Sequence, residues 1–226
     1  LPGYASDMNG TKATALEADV GAFSWTVNDV RAGFDLTGLV AVADDRRVDG
    51  RRMFAGWGAV ASSGHLGRFA TQTALYVAAG EDVDTDLAIS ADPGSVQGDR
   101  HIRAGMAVVD VARPAGAWNP RVTLLWAPGD ADPTDANATA YDAFADKVAF
   151  AGGGGAGVLA GNGKKIGDVF LFRKGSVLPS LRGANDRPNF VHGGVQLADA
   201  GLDVAISPRF AASVDAVAFF WDRPET

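Results

Sequence analysis

Apolar and polar residues alternate with period two over most of this chain. Leu202, Val204 and Ile206 alternate with Asp203 and Ala205, and beyond Ser207-Pro208-Arg209 the residues Phe210, Ala212, Val214, Ala216, Ala218 and Phe220 alternate with a set that includes Ser213 and Asp215. Period two on both sides of a tight turn predicts a β-hairpin. The apolar face of its second strand runs about 9–11 residues and ends in Phe219-Phe220-Trp221, the reach and the aromatic collar of a tilted strand in a bilayer. Half of a soluble sandwich would carry the same two strands, so the rest of the chain has to decide.

The pattern recurs. Leu16, Ala18, Val20 and Ala22 alternate with Glu17, Asp19 and Gly21, and after a turn at Asn28-Asp29 the set Phe34, Leu36, Val40 and Val42 alternates with Arg31, Gly33, Asp35 and Thr37. A wholly polar loop is expected over Asp44–Arg52. Met53, Ala55, Trp57, Ala59 and Ala61 then lead to a turn at Ser62–His65, and Phe69, Thr71, Thr73, Leu75 and Val77 return toward the loose acidic run Glu81–Asp86. A short strand is expected at Leu87–Ser90. Ile102, Ala104, Met106 and Val108 alternate with His101, Arg103 and Gly105; the turn Arg113–Pro120 leads to Val122, Leu124 and Trp126, and an acidic loop follows over Pro128–Asp146. Thr139–Ala149 is the one candidate helix. Ala149-Phe150-Ala151 and Val169–Phe172 read as further strands.

Short turns thus alternate with long polar loops. This sorting predicts an all-β, antiparallel up-and-down transmembrane β-barrel, a single domain over residues 1–226, with roughly twelve strands at about 9–11 residues each. If the short turns share one side, the first strand runs inward and the last outward, and the expectation is an incomplete stretch of a larger barrel.

Composition narrows the classes. Hydrophobic residues make up 47% of the 226, which excludes a disordered polar chain. A net charge of −7 without any basic, aromatic-rich cluster argues against nucleic acid. The absence of cysteine removes disulfides and thiolate chemistry. No apolar run approaches a membrane helix, so strands would have to do the spanning. Leu1-Pro2-Gly3-Tyr4 lacks a signal peptide's basic start, as expected of a mature, truncated or cytosolic chain.

In a barrel the ionic face of the strands must line the lumen, because charge facing lipid is costly. The candidate pore-lining residues are Arg31, Asp35, Gln72, His101, Arg103, Asp203, Ser213 and Asp215, with Glu17 and Asp19 on the same pattern. Trp25, Trp57, Trp118, Trp126 and Trp221 are expected at strand ends, as in an interfacial girdle. The other motifs are poor. Gly152, Gly154 and Gly157 formally fit G-x-G-x-x-G but open no helix, and Gly163-Lys164-Lys165 is no phosphate loop. Asp130, Asp132 and Asp135 have a calcium-like density, but Thr134-Asp135 replaces the Asx-Gly step. His192-Gly193-Gly194 lacks an accompanying G-x-S-x-G elbow. No catalytic residue, cofactor or metal is expected.

Two segments carry a resemblance. Ala198–Trp221 resembles the closing hairpins of large Gram-negative outer-membrane porins, with their G-L-D-V-x-h-(S/T)-P-(K/R) turn. Val122–Phe144 is similar to the strand and outer loop of the alginate-export type of porin. The resemblance implies a diffusion or export channel across the outer membrane; the expectation is a channel for passive passage or export of small polar or anionic solutes, with membrane lipids as partners and room for a homo-oligomer or an outer-membrane complex. The alternative is a secreted β-sandwich or jelly-roll binding module, for instance for carbohydrate, with Trp57, Trp118 or Trp126 as stacking platforms.

Overall fold

The computed structural model describes residues 18–31, 33–48, 51–84, 99–142 and 190–223. Among them the chain is all-β. The strands are β1 (Ala18–Arg31), β2 (Phe34–Val48), β3 (Arg51–Leu66), β4 (Phe69–Asp84), β5 (Arg100–Ala112), β6 (Trp118–Ala127), β7 (Asn137–Ala138), β8 (Val195–Ser207) and β9 (Phe210–Phe220). They form one nine-stranded sheet in the order β1-β2-β3-β4-β5-β6-β8-β9, a meander of antiparallel neighbours, with β7 pairing parallel to the start of β5. Among the described residues β1 pairs only with β2 and β9 only with β8, so the sheet is open.

The turns at one end are tight for local reasons. Gly33, Gly67 and Gly116 take positive φ angles of 78°, 62° and 63°, which a side chain would resist. Asp29 also has positive φ, and its carboxylate accepts the Gly33 N–H at 3.0 Å, closing the first turn. The β3–β4 turn therefore lies at Gly67-Arg68, and Ser62–His65 belongs to β3.

Several expected loops are strand. Most of the polar run 44–52 extends β2 and β3, held by Arg52, whose Nε and Nη2 donate to Asp44 at 2.9 and 2.8 Å. The acidic run after Glu81 likewise continues β4 to Asp84. At Thr139–Asp142, where helix was expected, the chain is irregular. The rest of that segment, the strands expected at 87–90, 149–151 and 169–172, and the glycine and lysine motifs at 152–157 and 163–165 lie outside the described residues.

Glycine also marks where strands crowd. A methyl group at Gly80 would run into the Phe54 carbonyl and Ala55 on β3, whereas one at Gly21 would meet open space. Gly80→Ala is expected to lower folding stability by about 1–3 kcal/mol, read as an earlier urea midpoint. Gly21→Ala should leave that midpoint nearly unchanged.

Candidate functional site

Period two gives the sheet two faces, and both are apolar where they meet the middle of the strands. One face is covered. Met53, Ala55, Trp57, Ala59 and Ala61 of β3, Ala74, Tyr76 and Ala78 of β4, and Ile102, Ala104, Met106 and Val108 of β5 are buried there. Alanines predominate because the cover is bulky. The chain leaving β6 crosses this face as far as Asp142, and it is joined by residues 190–194 before β8. Tyr141 packs on Tyr76 with ring centroids 6.0 Å apart, Phe190 lies 6.1 Å from Trp57, and the Trp57 indole N–H donates to the Asp142 carbonyl at 2.9 Å.

Backbone bonds fix the cover to itself and to the sheet. Ala140 donates to Phe190 at 3.0 Å, Asp130 to the His192 carbonyl at 2.9 Å, and His101 to Ala136 at 2.8 Å. Gly129 and Gly194 approach so closely that a Cβ on either would strike the other's backbone. His192 is buried between these pieces. Its Nδ1 accepts the Gly194 N–H at 3.0 Å, so the ring proton sits on Nε2 and is donated to the Tyr141 carbonyl at 3.2 Å. Burial holds its pKa down to about 4. The Gly194 N–H, the donor an oxyanion would need from this His-Gly-Gly segment, is thus already engaged by the His192 ring.

Nearer the tight turns the covered face becomes polar. Cross-strand register places Asp35, Ser63, Gln72, Asp110, Thr123 and Asp199 in one row across six strands. Arg121 stands in the next row, its guanidinium divided between Asp203 at 2.8 Å and Asp215. Gly201 leaves the space this guanidinium occupies. Asp203 also accepts from Ser213 at 2.7 Å and Asn119 at 3.1 Å, and Asp110 from Thr123 at 2.7 Å.

The other face is bare. One complete row reads Trp25, Gly38, Val60, Leu75, Ala107, Trp126, Gln196 and Phe220, and the next reads Val27, Leu36, Ser62, Thr73, Val109, Leu124, Ala198 and Ala218. Leu75 is 62% exposed and Val214 72%, and no second layer of described residues packs on them. The Trp25 ring lies over Gly38 and fills the gap that glycine leaves. Ionisable groups on this face gather at one rim. Asp19, Asp44, Glu81 and His101 share a row with Phe54, and Arg103 stands one row in. Arg52 and Arg46 hold the Asp44 carboxyl far below the usual carboxylate range. At the opposite end each tight turn carries an exposed arginine: Arg31, Arg68, Arg113 and Arg209.

Of the residues expected to share the ionic face, Asp35, Gln72, Asp203, Ser213 and Asp215 do lie together on the covered face. His101 and Arg103 do not. They stand on the bare face at its charged rim, because the alternating apolar set of β5 turns toward the cover. Arg31 sits at the first turn, opposite Phe34, and Asp19 is on the bare face. Sequence reasoning missed Asp110, Asn119, Arg121, Thr123 and Asp199, although Arg121 and Thr123 alternate with Val122 and Leu124, and Asp199 with Ala198 and Ala200.

The sequence matches no known family model and no curated protein.

The calcium-like loop is occupied by its own chain. Asp132 accepts from the Thr134 N–H at 2.9 Å, Asp135 from Asn137 at 2.6 Å, and Asp130 from Thr139 at 3.0 Å. Among the described residues no three such groups converge as metal ligands. Trp57 is buried beneath Phe190, while Trp25, Trp118, Trp126 and Trp221 are exposed.

His192 gives the cover a pH dependence. Its folded pKa of about 4 lies below the ordinary 6.5, so the unfolded chain binds more protons between these values. The stability that neutral His192 provides is therefore full above about pH 6.5, falls as the pH drops, and levels off below about 4. Denaturant titrations from pH 7 to 4 should show this loss, and His192→Gln should flatten it.

Proposed function

We propose that this chain forms wall and lining of an outer-membrane β-barrel that acts as a passive, porin-like channel for small polar solutes. The observation that carries the reading is the bare face. From Phe23 on β1 and Val77 on β4 toward the tight turns, its inter-strand rows hold aliphatic, aromatic, small or hydroxyl side chains and one amide, Gln196, with no ionisable side chain before the turn arginines. On β2, β4, β6 and β9 the charge-free stretch is about 9–11 residues long, the span of a tilted transmembrane strand. In water such a face would be a large aggregation-prone patch; in hydrocarbon it is solvated.

The same assignment accounts for the opposite face and for both ends. Polar rows and a folded-in segment suit the interior of a barrel, where water and protein satisfy them. The acidic rim and the turn arginines flank the band at the level of the lipid headgroups. Eight long strands are an even number, so β1 and β9 run in opposite directions and can be joined antiparallel, directly or through further strands. The porin-like turn around Ser207-Pro208-Arg209 falls where such a wall needs a tight turn. A carbohydrate-binding sandwich would need a second layer on the bare face, and it would lose Trp57 as a platform.

Two measurements test this. The protein should need detergent, migrate in a heat-modifiable way on gels, and give discrete conductance steps in planar bilayers; a monodisperse preparation in plain buffer would overturn the reading. Leu75→Arg, near mid-band, should cost about 2–4 kcal/mol of folding stability in vesicles, whereas His101→Arg at the rim should cost about 1 or less. Equal effects of the two would count against a lipid-facing band.

A further inference from the structure

The polar rows of the covered face are unbalanced. Asp35, Asp110, Asp199, Asp203 and Asp215 share three adjacent rows, and among the described residues those rows hold one guanidinium, that of Arg121. Arg121 is already divided between Asp203 and Asp215. Asp199 differs from the other four. It is 2% exposed, and neither carboxylate oxygen has a hydrogen-bond partner. It also lies within electrostatic reach of Asp215 and Asp110 as well as of Arg121. A carboxylate withdrawn from water, with no donor and with like charges beside it, is stable in its charged form only when a positive charge beyond that of Arg121 comes near.

We propose that the channel selects cations through the field of these acidic rows, and that Asp199, within the row it shares with Asp110, is the carboxylate that contributes unpaired charge to it. The inference rests on the channel reading above and deepens it, replacing the polar or anionic solute expected from the sequence with a small positively charged one. A lining of one sign between low-dielectric walls concentrates its counter-ion. The four turn arginines do not reverse the sign, because they are exposed to water, where salt screens them beyond about 10 Å at 0.1 M.

The test is the zero-current potential of the purified full chain in planar bilayers under a KCl gradient, for the wild type, Asp199→Asn and Asp110→Asn. The wild type should pass potassium over chloride by about tenfold at low salt, and each variant should move that ratio toward unity while keeping heat-modifiable migration. A chloride-preferring or unselective wild type, or a ratio unmoved by Asp199→Asn, would overturn the inference and leave the channel standing. A heat-modifiable protein that inserts but never conducts would overturn the channel reading, and cation selection with it.

Discussion

A β-strand cannot hide one side without committing the other, and here the chain covers only one of two apolar faces. Against Trp57 and Tyr76 it lays Tyr141 and Phe190, and it furnishes that face with alanines to make room. The larger aliphatic residues Val40, Val60, Leu75, Val77 and Leu124 point the opposite way and remain bare. In a water-soluble sheet the distribution is reversed, with bulk inside and small or polar residues outside. The inversion makes sense when the solvent on the bare side is hydrocarbon, and the charged rim and the length of the uncharged stretches then follow from the thickness of that solvent.

The same constraint shapes the polar rows of the covered face. Charges placed between low-dielectric walls are tolerated when they are paired or wet. Arg121 satisfies two carboxylates at once, Thr123 a third, and Ser213 and Asn119 complete Asp203. Every group in this network comes from a covered-face position of a strand whose neighbours on the bare face are apolar. The two faces are therefore written in alternate letters of the same segments.

That alternation was readable wherever one face was polar. The hairpin from Leu202 to Phe220 and the strand around Val122, Leu124 and Trp126 emerge directly from it, with the apolar and polar sets on separate faces. It misled on β5, where Ile102, Ala104 and Met106 turn toward the cover and His101 and Arg103 fall on the bare side at the rim. Polarity alone also hid strand: residues 44–52 look like loop until Arg52 is seen clamped to Asp44 across the hairpin. The cover itself was illegible. Its anchor joins Trp57 to Asp142 across 85 positions, a separation over which no local periodicity carries information.

Tryptophan samples both faces, which allows the lipid assignment to be measured directly. In single-tryptophan variants reconstituted into vesicles whose acyl chains are brominated, Trp126 and Trp25 should be strongly quenched, because their rings stand on the bare face, while Trp57 beneath Phe190 should keep its emission. Quenching of Trp126 by aqueous iodide but not by the brominated chains would place that face in water and contradict the account.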